Sequence, residues 1–483
     1  MSSEAGAARA GIGWFDRFGV TERTLREALS AALSRGGDFA DLFFQHRVET
    51  DLALEDGAVN RGHASVELGV GVRVVKGDQT GYGYTEDLSL PAILAAARTA
   101  AAIADGASRD APARMHLLSR PGGRYPSLAP GEGEGAAARL PVLEAVNARL
   151  LAADPSVRKV NVHLHDEQSA VLIADSSGRV VEDMQPMALL SASVLAERDG
   201  RREQNGYNVA GRAGGDFYSK ERIERLCTEA WARTSILFEA GQPPAGEMPV
   251  VLAAGSSGIL LHEAIGHGME ADFNRKGTSI YADKLGKVVA APFVSIVDDG
   301  TGVAARGSIH VDDEGNPAGR TVLVENGVLA SYLHDAISAR HYKVAPTGNG
   351  RRESYRHPPL PRMRSTYMLP GPHDREEIIR SVKRGIYCQT FSNGQVQIGA
   401  GDFTFFVKNG WLIEDGKLTR PIKDVNLIGN GPKALEMVDM VASDLAVDEG
   451  GWTCGKDGQS VPVSQGLPTV RVSSMTVGGR GAP

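Results

Sequence analysis

The chain has three cysteines in 483 residues, only 6% aromatic residues, no run of basic residues and no uninterrupted apolar stretch long enough to span a bilayer. Three widely separated cysteines do not make a disulfide framework, and free thiols suit a reducing compartment, so a cytoplasmic location is expected. A membrane helix needs about 20 consecutive apolar residues, which excludes that class. Residues 1–10 show no positive segment leading into an apolar core, as a secretory signal would. The formal net charge is −7, with no basic stripe interleaved with aromatics, so nucleic acid is not an expected partner. What remains is a mildly acidic, soluble chain, long enough for two or three domains with a substantial core.

The chemistry concentrates in residues 260–272, where His262, Glu263 and His267 form an HExxxH pattern. Two imidazoles can each offer a neutral nitrogen to Zn2+, and a carboxylate beside the first can take a proton from a bound water. The spacing is one residue longer than HExxH. In a regular helix residues five apart are turned about 140° from each other, so a straight helix would splay the two rings. The spacing therefore predicts a distorted helix end: a π-bulge, or a helix loosened at Gly266 and Gly268. Residues 256–258 read as a helix N-cap after a strand over 248–253. The plain alternative is a buried, hydrogen-bonded helix without metal, in which a carboxylate at Glu263 would be costly unless paired.

A catalytic zinc needs three protein ligands and an open position. Cys227, on the apolar side of a helical stretch, and Cys388, in a strand-like run, read as core residues. Cys454 lies in a glycine-rich stretch over 450–459, expected to be a loop that brings a ligand close, beside Lys456. Glu270 and Asp272 compete with it, being close to His267 in sequence. Spacing alone does not separate these candidates.

The run from His262 to Arg275, with residues 454–463 and 475–479, resembles the TldD/PmbA family of bacterial and archaeal metallopeptidases, on the TldD side. The similarity runs over most of the chain and is strongest from about Pro249. It implies His262, His267 and Cys454 as metal ligands and Glu263 as the base. It further implies a zinc-dependent peptidase for unfolded or peptide-like substrates in an enclosed cavity, formed with a TldE/PmbA-type partner as a heterodimer or with a second copy as a homodimer. The competing class is a non-catalytic protein-binding module with a structural zinc, which would normally show four protein ligands.

Elsewhere, helical periodicity marks residues 21–33 and 90–104, with alternating strand patterns over 41–45, 51–54 and 65–75 between them. A proline- and glycine-rich linker is expected at about 108–135. The scheme then recurs, with a helix over 140–151, strands over 157–164, 170–174, 180–182 and 189–196, and a helix around Cys227. This gives an N-terminal domain over 1–241 of two helix, meander, helix units, whose sheet edges could capture an extended peptide. Beyond residues 242–247 a C-terminal domain over 247–483 carries the metal helix. Strands are expected there at 287–291, 294–297, 396–399 and 404–407, a hairpin at 321–330, and helices at 334–340, 375–383 and 432–443. The fold class is α+β, antiparallel-rich in the first domain and mixed but mainly antiparallel in the second. The polar stretch 347–357, with Arg362 and Arg364, reads mostly as a solvated loop. His310, His334 and His341 are assigned no catalytic part.

Overall fold

The computed structural model describes residues 13–118, 122–131 and 135–478. Residues 1–10 and parts of the 108–135 linker thus lie outside the described residues. The molecule is mixed α/β with several antiparallel sheets, as the patterning predicts. Its N-terminal part is one seven-stranded sheet, built on the antiparallel strands Phe39–Glu55, Ala58–Lys76, Val157–Asp175 and Arg179–Arg198.

These strands are longer than the alternation suggested. Residues 41–45 and 51–54 belong to one strand of 17 residues, because the polar positions between them pair across the sheet. Arg47 stands opposite Glu67 and is ion-paired with it, and Ser65 donates to Glu49 over 3.1 Å. The segments 157–164 and 170–174 are likewise one strand, as are 180–182 and 189–196. The linker also contributes structure: His116–Leu118 adds a parallel strand beside Arg179–Arg198.

One face of this sheet is covered by helices Glu22–Ala32 and Leu90–Ala101, which bury Leu42, Phe44, Val70, Val72 and Val74. Helices Ala136–Leu151 and Lys220–Ser235 cover the other end of the same face, where Cys227 is buried. The opposite face, carrying Phe43, Gln45, Arg47, Glu49, His165 and Glu167, borders a cavity against the C-terminal part. Strand alternation places odd-numbered residues on that side.

The C-terminal part has two six-stranded sheets. In one, strand Lys417–Asn430 pairs with both Asp402–Glu414 and Val470–Gly478, so five of its strands close into a ring. Strand Gly246–Leu252 runs parallel to Arg384–Gln397, which carries the buried Cys388. The other sheet runs through Ile296–Asp299 and Ser365–Met368. The expected hairpin is present as Arg320–Glu325 and Val328–Leu329. The helices expected at 334–340 and 375–383 occupy Ala336–Tyr342 and Arg375–Arg380.

Two expectations fail here. The 432–443 helix stops at Glu436, and Val438–Val441 is instead a strand paired with Val470–Gly478. Its β-branched residues fit the sheet margin, and that tertiary pairing overrides helical periodicity. Residues 287–291 form no strand; they fold over the turn at Gly327, whose carbonyl accepts from the amides of Val289 and Ala290 at 2.8 and 3.1 Å.

Candidate metal centre

The strand Gly246–Leu252 leads into a 3-10 turn, Ser256–Gly258, and then a single α-turn, Ile259–Leu261. The expected N-cap is not made: no side chain caps this helix, and the Ser257 hydroxyl donates back to the Ala253 carbonyl. His262–Gly266 is a π-turn, in which the amide of His267 donates to the carbonyl of His262, five residues back. The extra residue per turn cancels the angular offset of a straight helix. The rings of His262 and His267 come to one side, with centroids 5.0 Å apart and planes at 86°. The wide turn is packed from behind. A Cβ at Gly431 would lie 2.3 Å from the Ala264 carbonyl oxygen, and one at Gly266 would lie 1.9 Å from Met363 Sδ.

Cys454 is not on an irregular loop. It lies in strand Thr453–Lys456, paired with Gln459–Pro462 across a tight turn at Asp457 and Gly458, both with positive φ. Strand alternation puts Cys454 and Lys456 on the same face, and both are buried. Cys454 Sγ lies 3.5 Å from His267 Nε2. His262, His267 and Cys454 each offer one donor atom, and these atoms lie within 4.8 Å of one another.

Glu270 and Asp272 do not join that group. Glu270 Oε2 sits 3.0 Å from His267 Nδ1 and 3.1 Å from Lys456 Nζ, while Asp272 Oδ1 is 2.7 Å from Lys456 Nζ. Lys456 therefore serves the two carboxylates and not the thiol. By engaging Nδ1, Glu270 fixes which nitrogen His267 turns toward the sulfur, an arrangement familiar behind metal-bound histidines.

Burial opposes charge on every group here, yet the neighbours outweigh it at several. The imidazoles of His262 and His267 hold the Cys454 thiol well below its usual range. Lys456 and His267 hold the Glu270 carboxylate down to about 2. Glu263 goes the other way: burial raises it, against the pull of the two histidines. It is also the one residue between Gly255 and Asp272 that is not fully buried. The centre is thus closed except at its carboxylate.

The residues fit a metal ion. His262 Nδ1 is buried and has no hydrogen-bond partner among the described residues. Two imidazoles and an ionisable thiol are a donor set suited to zinc, and three donors leave a position open.

The arginine-rich stretch is not a solvated loop. Arg351, Arg352, Arg362 and Arg364 are all buried. Arg362 donates to the carbonyls of Cys454 and Gln459, bracing the hairpin, and Arg364 Nε pairs with Asp298 Oδ2 at 2.8 Å. Composition suggested solvation, but each guanidinium finds carbonyl or carboxylate acceptors inside. His310 is bonded to Asp183 at 3.0 Å, His334 is buried among tyrosines, and His341 is exposed; none reaches the centre. A second convergence, of Glu49, His165 and Glu167, follows no motif in the sequence and is made only by pairing of the strands Phe39–Glu55 and Val157–Asp175. Arg47, 3.1 Å from Glu49, already supplies positive charge there.

Models of the three PmbA/TldA metallopeptidase domains match residues 40–104, 134–237 and 245–479. A metalloprotease TldD homolog of Haemophilus influenzae is 39% identical over 95% of this chain and 97% of its own. One from Buchnera aphidicola is 38% identical over 95% and 96%. The chain belongs to the PmbA/TldD metallopeptidase family. Its similarity to TldD homologs over nearly the whole length places it on the TldD side. A more distant TldD homolog, from Saccharolobus solfataricus, is described as a zinc metalloprotease and is 30% identical over 67% of this chain and 72% of its own. Among solved structures, TldE from Thermococcus kodakarensis shares the fold of this PmbA/TldD protein, with a TM-score of 0.71 at 16% identity over 95% of this chain and 99% of its own. A Thermotoga maritima protein described as a candidate modulator of DNA gyrase does so with a TM-score of 0.75 at 22% identity, over 95% and 100%.

Proposed function

We propose that the chain is a zinc-dependent peptidase that hydrolyses unfolded or peptide-like substrates, with His262, His267 and Cys454 as metal ligands and Glu263 as general base. The observation that carries this reading is the convergence of three donor atoms within 4.8 Å, beside the one carboxylate of the segment that reaches solvent. A zinc ion held there supplies Lewis-acid polarisation of a water and of a substrate carbonyl. Glu263 accepts the proton of the attacking water and returns it to the departing amine. Its burial favours that part, since a carboxyl group with a raised pKa is easier to protonate in the middle of a reaction. Glu270 holds the His267 ring in one orientation, and Lys456 keeps Glu270 ionised.

The shared fold with TldE supports a TldE/PmbA-type partner, or a second copy, enclosing the substrate cavity. A structural zinc in a binding module is disfavoured because three donors converge among the described residues, not four. Gyrase modulation is named for structural neighbours below 25% identity, and the acidic chain shows no basic stripe to favour it here.

The test is hydrolysis of an unfolded protein such as casein by wild type and Glu263→Gln, each with and without a TldE/PmbA-type partner, beside metal analysis. A positioned general base contributes about 10²- to 10⁴-fold, so kcat should fall by that factor while zinc content stays unchanged. Undiminished turnover removes Glu263 from the chemistry.

A further inference from the structure

Between the N-terminal sheet and the Cys454 hairpin lies a cavity of about 280 Å³, whose wall includes Thr453 and Val461 of that hairpin. Two arginines in the wall, Arg212 and Arg306, carry a buried nitrogen without a hydrogen-bond partner, and Arg351 is buried with them. Arg212 is 3% exposed, its Nε is buried without a hydrogen-bond partner, and its guanidinium lies 5.3 Å above the Tyr125 ring. Arg306 donates to the Trp452 carbonyl and to the Thr453 hydroxyl at 2.9 and 3.3 Å, leaving a buried Nη1 unpartnered. Arg351, also 3% exposed, donates to the Met363 carbonyl at 2.7 Å. None of the three has a carboxylate at ion-pair distance among the described residues; Asp313 acts on Arg351 and Glu167 on Arg306 only through space.

Guanidinium groups withdrawn from water without a counter-charge are costly, and the cost is recovered when an anion arrives. Five arginines and four carboxylates line the cavity, and two of the arginines, Arg47 and Arg352, are ion-paired with Glu67 and Asp41 outside its wall. That near-balance fits a monoanion better than a doubly charged phosphate. A planar carboxylate also matches the fork of a guanidinium, which can bind it through two parallel hydrogen bonds. Arg306 touches Thr453, the residue next to Cys454, so an anion held here sits beside the hairpin of the candidate metal centre.

We propose that this cavity receives the terminal α-carboxylate of a peptide, so that the protein selects peptides with a free carboxyl end. The proposal rests on the peptidase reading, and the two can be tested apart. Penta-alanine with a free carboxylate and penta-alanine amide are titrated calorimetrically into zinc-loaded Glu263→Gln protein. The acid should bind at least about tenfold more tightly, the value of one charge-assisted hydrogen bond lost with the amide. Adding Arg306→Gln or Arg212→Leu should bring the acid to the affinity of the amide and leave the amide unchanged, while Arg212→Lys should recover part of the difference. In active enzyme with the native Glu263, Arg306→Gln should raise KM for the acid and leave kcat within about twofold, whereas a merely structural role would lower kcat for both peptides. Equal affinities for acid and amide, no binding of either, or variants that weaken both alike would overturn the carboxylate site. If wild type cleaves neither peptide nor casein while the binding preference persists, the peptidase reading fails and the anion site stands.

Discussion

At the scale of single residues, the centre depends on a few atoms whose burial has consequences away from the reaction. If His262, His267 and Cys454 are the ligands, His262→Ala or Cys454→Ala should cut bound zinc to well below one equivalent by elemental analysis, and full occupancy in Cys454→Ala would reopen the case for Glu270. His334 gives a separate test. It is buried beside Tyr332 and Tyr342, and burial pushes its pKa down to about 4. The folded state therefore binds fewer protons than the unfolded state between about pH 6.5 and 4. Its contribution is fully present above pH 6.5 and is lost as pH falls through that window, by up to about 3 kcal/mol. Chemical denaturation at stepped pH should show this slope, and His334→Gln should flatten it. The histidine spacing was legible in the sequence because ligands five positions apart admit few solutions, and the π-turn is one of them. The burial of Arg362 and Arg364 was not legible, since their acceptors, the Cys454 carbonyl and Asp298, lie 92 and 66 residues away.

At the scale of elements, the centre is made where a hairpin near the carboxyl end meets the π-turn. Lys456 joins them, bonded to Glu270, Asp272 and the Pro361 carbonyl with its side chain only 2% exposed. Lys456→Met would leave two buried carboxylates without their cation, so it should destabilise the protein by about 3–5 kcal/mol. A lower melting temperature measured by calorimetry checks this, and an unchanged one would mean the hairpin is held by Arg362 and packing alone. Gly431→Ala should press on the Ala264 carbonyl and disturb the π-turn, costing about 1–3 kcal/mol and weakening zinc affinity together. The hairpin was misread as a loop because glycines at 450, 451, 455 and 458 hide the alternation of Cys454 and Lys456. The segment 438–441 was misread as helix because its partner, residues 470–478, is distant in sequence. Long-range pairing of this kind leaves no local trace.

At the scale of the whole molecule, the N-terminal sheet presents one face to its helices and the other to the half that carries the candidate metal centre. Buried charges join the halves: Arg73 pairs with Asp41 of its own sheet at 2.5 Å and with Glu314 of the C-terminal part at 2.7 Å. An ion bound by the native state alone should stabilise this assembly, by about 4 kcal/mol at a thousandfold excess over Kd. Chelation should therefore lower the melting temperature reversibly, and zinc should restore it. The proposed chemistry requires residues 262, 267 and 454 to meet around one ion. X-ray absorption at the zinc edge of the purified, zinc-loaded protein tests this most directly. One sulfur at about 2.3 Å and imidazole nitrogens at about 2.0–2.1 Å are expected around the zinc. A first shell of nitrogen and oxygen without sulfur would contradict it.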